Sequence, residues 1–356
     1  MTISPRENLD TLLDRRNPRW IPFTFDVGAI PGFTAPIRRR FTEKTGAADP
    51  AEYFDFDFRV YSLKARFGGR DPADYHAEVV PGTTFDEWGI GHVAGPIPGT
   101  VERTCPPLAR VRSVRDIEAF PVPIIDENAD PSIVADYHRR GYPVFGYAGS
   151  VYEWSWWLRG MEAFLADLLL EPQLVEAIIA KVAEHTKRLA LASARFGIDV
   201  LCFYDDVGMQ TGMQISPELW RRFIRPRWQD ILDDVRARCP TARTFLHSCG
   251  NIRAIVPDIV ELGFDILHPV QPECVDFAEV RREFGRHIAL CATVSSQRTL
   301  PFGTPDDVRR EVRRLKELAR DDRRCILCPS NLIQPETPWD NIVAFAEEAR
   351  AQPDSP

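Results

Sequence analysis

The chain has 356 residues, 44% of them hydrophobic and 27% charged, with a formal net charge of −8. That composition suits a globular protein with one large α/β domain, and the acidic balance, with acids interspersed among basic residues as in Arg309-Arg310-Glu311, excludes a nucleic-acid footprint. No stretch approaches the roughly 20 apolar residues of a membrane span, and residues 1–7 are polar and carry no signal peptide, so a cytoplasmic protein is expected.

Apolar runs of strand length occur at 20–25, 56–60, 143–147, 199–204, 243–247, 265–268, 287–292 and 325–329. Helical patterns alternate with them. Residues 172–196 are amphipathic, with Leu174, Ile178, Val182 and Leu189 on one side. Ser216-Pro217-Glu218 opens a second helix, with Ser as N-cap and Pro at the first helical position. Thr304-Pro305-Asp306-Asp307 makes the same start before 308–320, and Thr337-Pro338 makes it before 339–350. Strand–helix alternation repeated about eight times predicts an α/β fold of the (β/α)₈ TIM-barrel type, spanning 1–356 as a single domain. Residues 68–130 are rich in proline and glycine and break the rhythm; they read as an insertion or cap over one barrel face. Residues 352–356 read as a frayed end.

A barrel of this type carries its active site at the C-terminal ends of the strands. The residues expected there are Asp26, then Ser150 and Glu153, then Tyr204-Asp205-Asp206, then His247 and Cys249, then His268 and Gln271, then Thr293 and Gln297, and last Cys328, Ser330 and Asn331. His247 and Cys249 are the most informative pair, because side chains on one strand face recur every second residue and both donors then point into one cleft. A third soft donor from a distant strand, Cys328, would complete a three-ligand zinc set with a fourth position open to substrate.

Eight cysteines without framework spacing indicate reduced thiols. Cys325 is out of strand phase with Cys328 and is expected outside the pocket, while Cys105, Cys202, Cys239, Cys274 and Cys291 read as small buried hydrophobes. Asp205 and Asp206 either cap the next helix, hold arginines or line the pocket, and one lining residue fits better than two. Glu153 is a helix N-terminal acid or a metal ligand. Trp154, Trp156 and Trp157 fit a core or interface better than a substrate platform.

Several stretches, taken in order, carry a resemblance. They are Tyr204-Asp205-Asp206-Val207-Gly208 with Ile215-Ser216-Pro217-Glu218, His247-Ser248-Cys249-Gly250-Asn251, Leu300-Pro301-Phe302-Gly303-Thr304-Pro305, and Cys328-Pro329-Ser330-Asn331 with Ile333-Gln334-Pro335. The chain resembles the uroporphyrinogen decarboxylase superfamily over nearly its whole length, most clearly from residue 143 onward. The resemblance implies a (β/α)₈ barrel. True decarboxylases of this kind carry an Arg-rich N-terminal motif, whereas the matching region here reads Pro22-Phe23-Thr24-Phe25-Asp26-Val27-Gly28. The zinc-dependent, corrinoid-linked methyltransferase branch uses a His-x-Cys pair and a later Cys, which His247 and Cys249 match. That later Cys falls about three residues beyond Cys328, at Asn331, so Cys328 is the expected substitute.

The resemblance therefore implies a zinc-dependent methyltransferase that moves a methyl group between a small methylated substrate, of methyl ether or thiol type, and a corrinoid (cobalamin) cofactor. The corrinoid would sit on a partner protein, as the resemblance to the methyltransferase branch implies. The implied metal ligands are His247, Cys249 and Cys328. The implied catalytic residues are Asp206 and His268, and Tyr204, Asp205, Gln271 and Asn331 are the implied substrate-binding residues. With Cys328 bound, zinc favours a thiolate substrate; with Glu153 or water in its place, zinc is a harder Lewis acid suited to a methoxy oxygen. The alternatives are a metal-free lyase of the decarboxylase type, using Asp205 or Asp206, and a barrel that binds a small molecule without chemistry. No nucleic-acid or membrane partner is expected, and a homodimer is left open.

Overall fold

In the computed structural model, which describes residues 3–95 and 101–351, seven strands pair in parallel and in chain order around one curled sheet. They are Arg59–Val60, Val144–Gly149, Val200–Tyr204, Arg243–His247, Ile266–Val270, Ala289–Val294 and Cys325–Pro329. The expected run at 20–25 is not a strand. Pro22 has no N–H to give a ladder, and this segment makes one bridge, Phe23 to Leu327. It nevertheless bonds to both edges of the sheet. Leu327 N donates to Pro22 O at 2.8 Å, Thr24 N to Leu327 O at 3.1 Å and Asp57 N to Phe23 O at 3.0 Å.

The strands are buried on both faces, as parallel strands covered by helices are. Val200, Cys202 and Tyr204 point inward with Phe145, Phe245, Ile266, Cys291 and Cys328, while Leu201 and Phe203 pack outward among the helices. Leu9, Leu12 and Leu13, from helix Pro5–Leu13, join the inward cluster. Cys325 and Leu327 face outward and Cys328 inward, the phase difference expected from the sequence.

Helix Pro172–Phe196 has the expected span and buries Leu174, Ile178, Val182 and Leu189. Ser216 caps helix Pro217–Phe223 through Leu219 N, and Thr304 forms a capping box with Asp307 on helix Pro305–Leu318. Helix Trp339–Arg350 also forms, but Pro338 holds its N-cap position, so the Thr337 side chain does not cap it.

Residues 68–130 leave and return at one neck, where strand Ala65–Arg66 pairs antiparallel with Ile124–Ile125. Between them lie a small antiparallel sheet (Thr84–Phe85, Gly91–Ala94, Val101–Cys105) and helix Val114–Ala119. Trp88, Ile90, Leu108 and Ile117 pack there against Trp154, Leu158 and Ile178. Trp154 is thus core, as expected. The stretch 352–356, expected to fray, lies outside the described residues. No helix among the described residues is long and apolar enough to cross a membrane.

Candidate metal centre

Two strand ends interlock to build the site. After strand Val200–Tyr204 the chain continues into Asp205-Asp206-Val207-Gly208, and after Arg243–His247 into Ser248-Cys249-Gly250. Asp205 N donates to His247 O at 2.8 Å and Asn251 N to Met209 O at 2.7 Å. Val207 N donates to Ser248 Oγ at 3.3 Å, and Cys249 N to Asp206 Oδ1 at 2.7 Å. Side-chain and main-chain bonds thus hold the two loops face to face.

The result is a group of three donors, Asp206, His247 and Cys249, whose ligand atoms all lie within 4.8 Å of one another. His247 Nε2 is 3.3 Å from Cys249 Sγ and 3.5 Å from Asp206 Oδ1. Tetrahedral zinc with ordinary bond lengths sets such ligand atoms roughly 3.4–3.6 Å apart, close to these spacings. His247 is buried, while Cys249 and Asp206 are half-buried toward the mouth.

Burial holds the His247 imidazole down at about 3, so it is neutral, the form that ligates a metal. Burial pushes the Cys249 thiol well up, and Asp206 and Glu153 nearby add to the effect. Burial also raises the Asp206 carboxyl, and raises Glu153 well above the carboxylate range with Asp206 and Asp205 contributing. Neither Asp206 nor Glu153 forms an ion pair with a lysine or arginine among the described residues. A buried acid cluster without a cationic side chain is where a divalent ion reverses the local charge balance. One thiolate and one carboxylate would neutralise zinc, so the donor set fits that ion.

Cys328 is not brought into this group. Its inward phase puts it below the loops, in contact with Cys291 and His268. The third donor is Asp206, expected as a catalytic residue. Its signal is the two-residue spacing from Tyr204, the same phase that relates Cys249 to His247.

His268, expected to be catalytic, is fully buried behind His247. The two rings meet edge to edge, with centroids 4.9 Å apart and Nδ1 atoms 2.8 Å apart, and His268 Nε2 lies 3.2 Å from Pro329 O.

Three of the four expected substrate-binding residues spend their polar groups inside the protein. Asp205 Oδ1 accepts from Ser150 Oγ and from the backbone N–H of Val151, Tyr152 and Glu153, and Oδ2 accepts from Trp228 Nε1. It anchors the start of helix Tyr152–Arg159, where an anion meets free N–H groups. The Tyr204 hydroxyl donates to Val27 O and accepts from Ala29 N, and its ring stacks on Tyr147 at 5.2 Å. Gln271 Oε1 accepts from Gly250 N at 2.9 Å. The fourth, Asn331, is exposed and donates to Cys249 Sγ at 3.3 Å. Glu153 lies beside Asp206 and outside the three-donor group.

A parallel α/β sheet with a polar, donor-rich site at its carboxyl ends defines a barrel-type enzyme scaffold. The chain belongs to the uroporphyrinogen decarboxylase (URO-D) family, whose description matches residues 101–352. It is 27% identical over 236 residues, 65% of this chain, to the methylcobamide:CoM methyltransferase MtaA of Methanosarcina barkeri. It is 23% identical over 180 residues, 51% of this chain, to the uroporphyrinogen decarboxylase of Synechococcus sp. (strain JA-3-3Ab). The chain spans 66% of the first relative's length and 47% of the second's. A solved methyltransferase from Methanosarcina mazei shares the fold, with a TM-score of 0.59 at 21% identity over 98% of both chains.

Proposed function

We propose that this protein is a zinc-dependent methyltransferase that takes a methyl group from a small methyl ether and delivers it to a corrinoid (cobalamin) cofactor carried by a partner protein. In this reading residues 22–24 are the eighth stave of a (β/α)₈ barrel, residues 68–130 cap its mouth, and the enzyme works in the cytoplasm. The methyltransferase names among its relatives support the transfer chemistry.

The observation that carries the ether reading is the donor set: a carboxylate, Asp206, stands with His247 and Cys249, and Cys328 points elsewhere. Asp206, His247 and Cys249 would hold the zinc and leave one position open. Bound there, zinc supplies Lewis acidity to the ether oxygen, and an oxygen donor keeps it harder than a second thiolate would. A reduced corrinoid on the partner would supply the electron pair for the new bond to the methyl carbon, and the ether oxygen would leave with the pair of the broken methyl–oxygen bond and take a proton. The Asn331 amide steadies the Cys249 sulfur with one hydrogen bond, and Asp205 holds the loop that carries Asp206.

The test is the absorbance change of cob(I)alamin with purified protein across methoxyaromatic, methylthiol and methylamine donors. The expected result is methylcobalamin from a methoxy donor, lost on chelation and restored by zinc. If no donor yields it, and methylcobalamin also fails to methylate any thiol, the reading falls.

A further inference from the structure

We infer that His268 is a positioning residue that locks His247 in a single tautomer, with the Nε2 lone pair aimed at Cys249 and Asp206. The inference rests in part on the metal reading above, but its first readout needs no metal.

The argument follows the proton positions along one line. Pro329 O is a carbonyl and only accepts, so the bond at 3.2 Å requires a hydrogen on His268 Nε2. A neutral imidazole carries one N–H, so His268 Nδ1 is then a lone pair. His247 Nδ1, at 2.8 Å from it, must supply the hydrogen between them. His247 is neutral as well, and its Nε2 is left bare, facing Cys249 Sγ and Asp206 Oδ1. His268 is fully buried and His247 nearly so, so water does not substitute for a partner at the Nδ1 pair or at His268 Nε2.

One rival arrangement exists. If Cys328 S–H donated to His268 Nε2, every proton in the line would reverse and His247 Nε2 would carry hydrogen toward Asp206. Two features favour the first arrangement. A thiol is a weak donor, and Cys328 has Cys291 as another partner, whereas the first arrangement gives the Pro329 carbonyl an N–H donor. The two ring planes lie within 22° of each other and meet edge to edge through the Nδ1 pair, so orientation and tautomer of His247 are set together.

The test uses nitrogen-15 NMR of the imidazoles in metal-free protein, followed by zinc competition with a chromophoric chelator. In the wild type His247 should be protonated on Nδ1 and bare on Nε2. His268→Phe, which fills the ring volume without an acceptor, should mix the tautomers. It should also weaken zinc binding by about 10- to 100-fold. His268→Asn places an amide oxygen at the Nδ1 position and should restore the tautomer and most of the affinity. Cys328→Ala should change neither. Protonation of His247 on Nε2 in the wild type overturns the inference, and so does a folded His268→Phe protein with the wild-type tautomer. If the tautomer is as stated but the wild type binds no zinc, the metal reading fails and the positioning role stands.

Discussion

Gly208 and Gly250 meet backbone to backbone where the two motif loops cross: a Cβ on Gly250 would lie 2.6 Å from the carbonyl carbon of Gly208. Gly250 also has φ +86°, which favours glycine. Gly250→Ala is expected to destabilise the fold by about 3 kcal/mol through strain and displacement of the neighbouring loop. It should also part Asp206 from Cys249 and lower zinc content. Denaturant unfolding and elemental analysis check both, and an unchanged midpoint with full zinc would mean that the contact is dispensable.

Purified protein should hold about one zinc per chain. Asp206→Ala, His247→Ala and Cys249→Ala should each remove most of it while the far-ultraviolet circular dichroism stays unchanged. Cys325→Ala and Cys328→Ala should retain it, since one cysteine faces outward and the other lies below the site. Zinc loss in the Cys328→Ala protein with Asp206→Ala fully loaded would restore the cysteine as third ligand.

The parts legible in the sequence were those set by local periodicity. The two-residue phase of strands separated Cys325 from Cys328 and joined His247 to Cys249. Ser216 and Thr304 marked helix starts through their own hydrogen bonds. Less legible was which strand-end polar groups would be consumed by the protein itself. Asp205 looks like pocket chemistry in the sequence, but Trp228, 23 residues on, and the start of helix Tyr152–Arg159 take both its oxygens. Tyr204 and Gln271 are spent in the same way on Val27, Ala29 and Gly250. Such pairings depend on loop packing, which no local pattern encodes. Asp206 is only partly consumed: Cys249 N donates to Oδ1, and that bond holds the carboxylate beside His247.

Stability should fall on acidification, and His185 should account for part of the loss. This residue is buried between Trp88 and Trp154, with neither ring nitrogen hydrogen-bonded among the described residues. Burial lowers it to about 4. Between its unfolded value of about 6.5 and that folded value the unfolded chain binds the extra proton, so stability drops as pH falls through this window and levels off below it. The drop is on the order of 3 kcal/mol. In the metal-free protein His247 extends the same trend down to about 3. His185→Leu should flatten the profile between pH 6.5 and 4 and stabilise the fold near neutrality by about 1 kcal/mol, since two unpaired polar atoms leave the core. Chemical denaturation at several pH values measures this, and an unaltered slope in the variant would remove His185 from the account.

Asn331 stands where a soft ligand would change the chemistry. Its amide nitrogen is 3.3 Å from Cys249 Sγ, and the residue is exposed, so a thiol placed there would reach a zinc ion held by Asp206, His247 and Cys249. Asn331→Cys is expected to add a second thiolate beside Cys249 and to tighten zinc binding by about tenfold, or about 1.4 kcal/mol. A second thiolate also makes the ion softer and more electron-rich, which favours a thiol over an ether oxygen as the group it holds. Methyl transfer from methoxy donors should therefore fall while methylation of thiols by methylcobalamin rises. Cobalt(II) substitution gives an independent view, because each thiolate bonded to cobalt adds sulfur-to-metal charge-transfer intensity. That intensity should increase in the Asn331→Cys protein. Unchanged charge-transfer intensity with zinc or cobalt fully bound would show that position 331 does not reach the ion, and the preference for ethers would then need a cause other than the donor set.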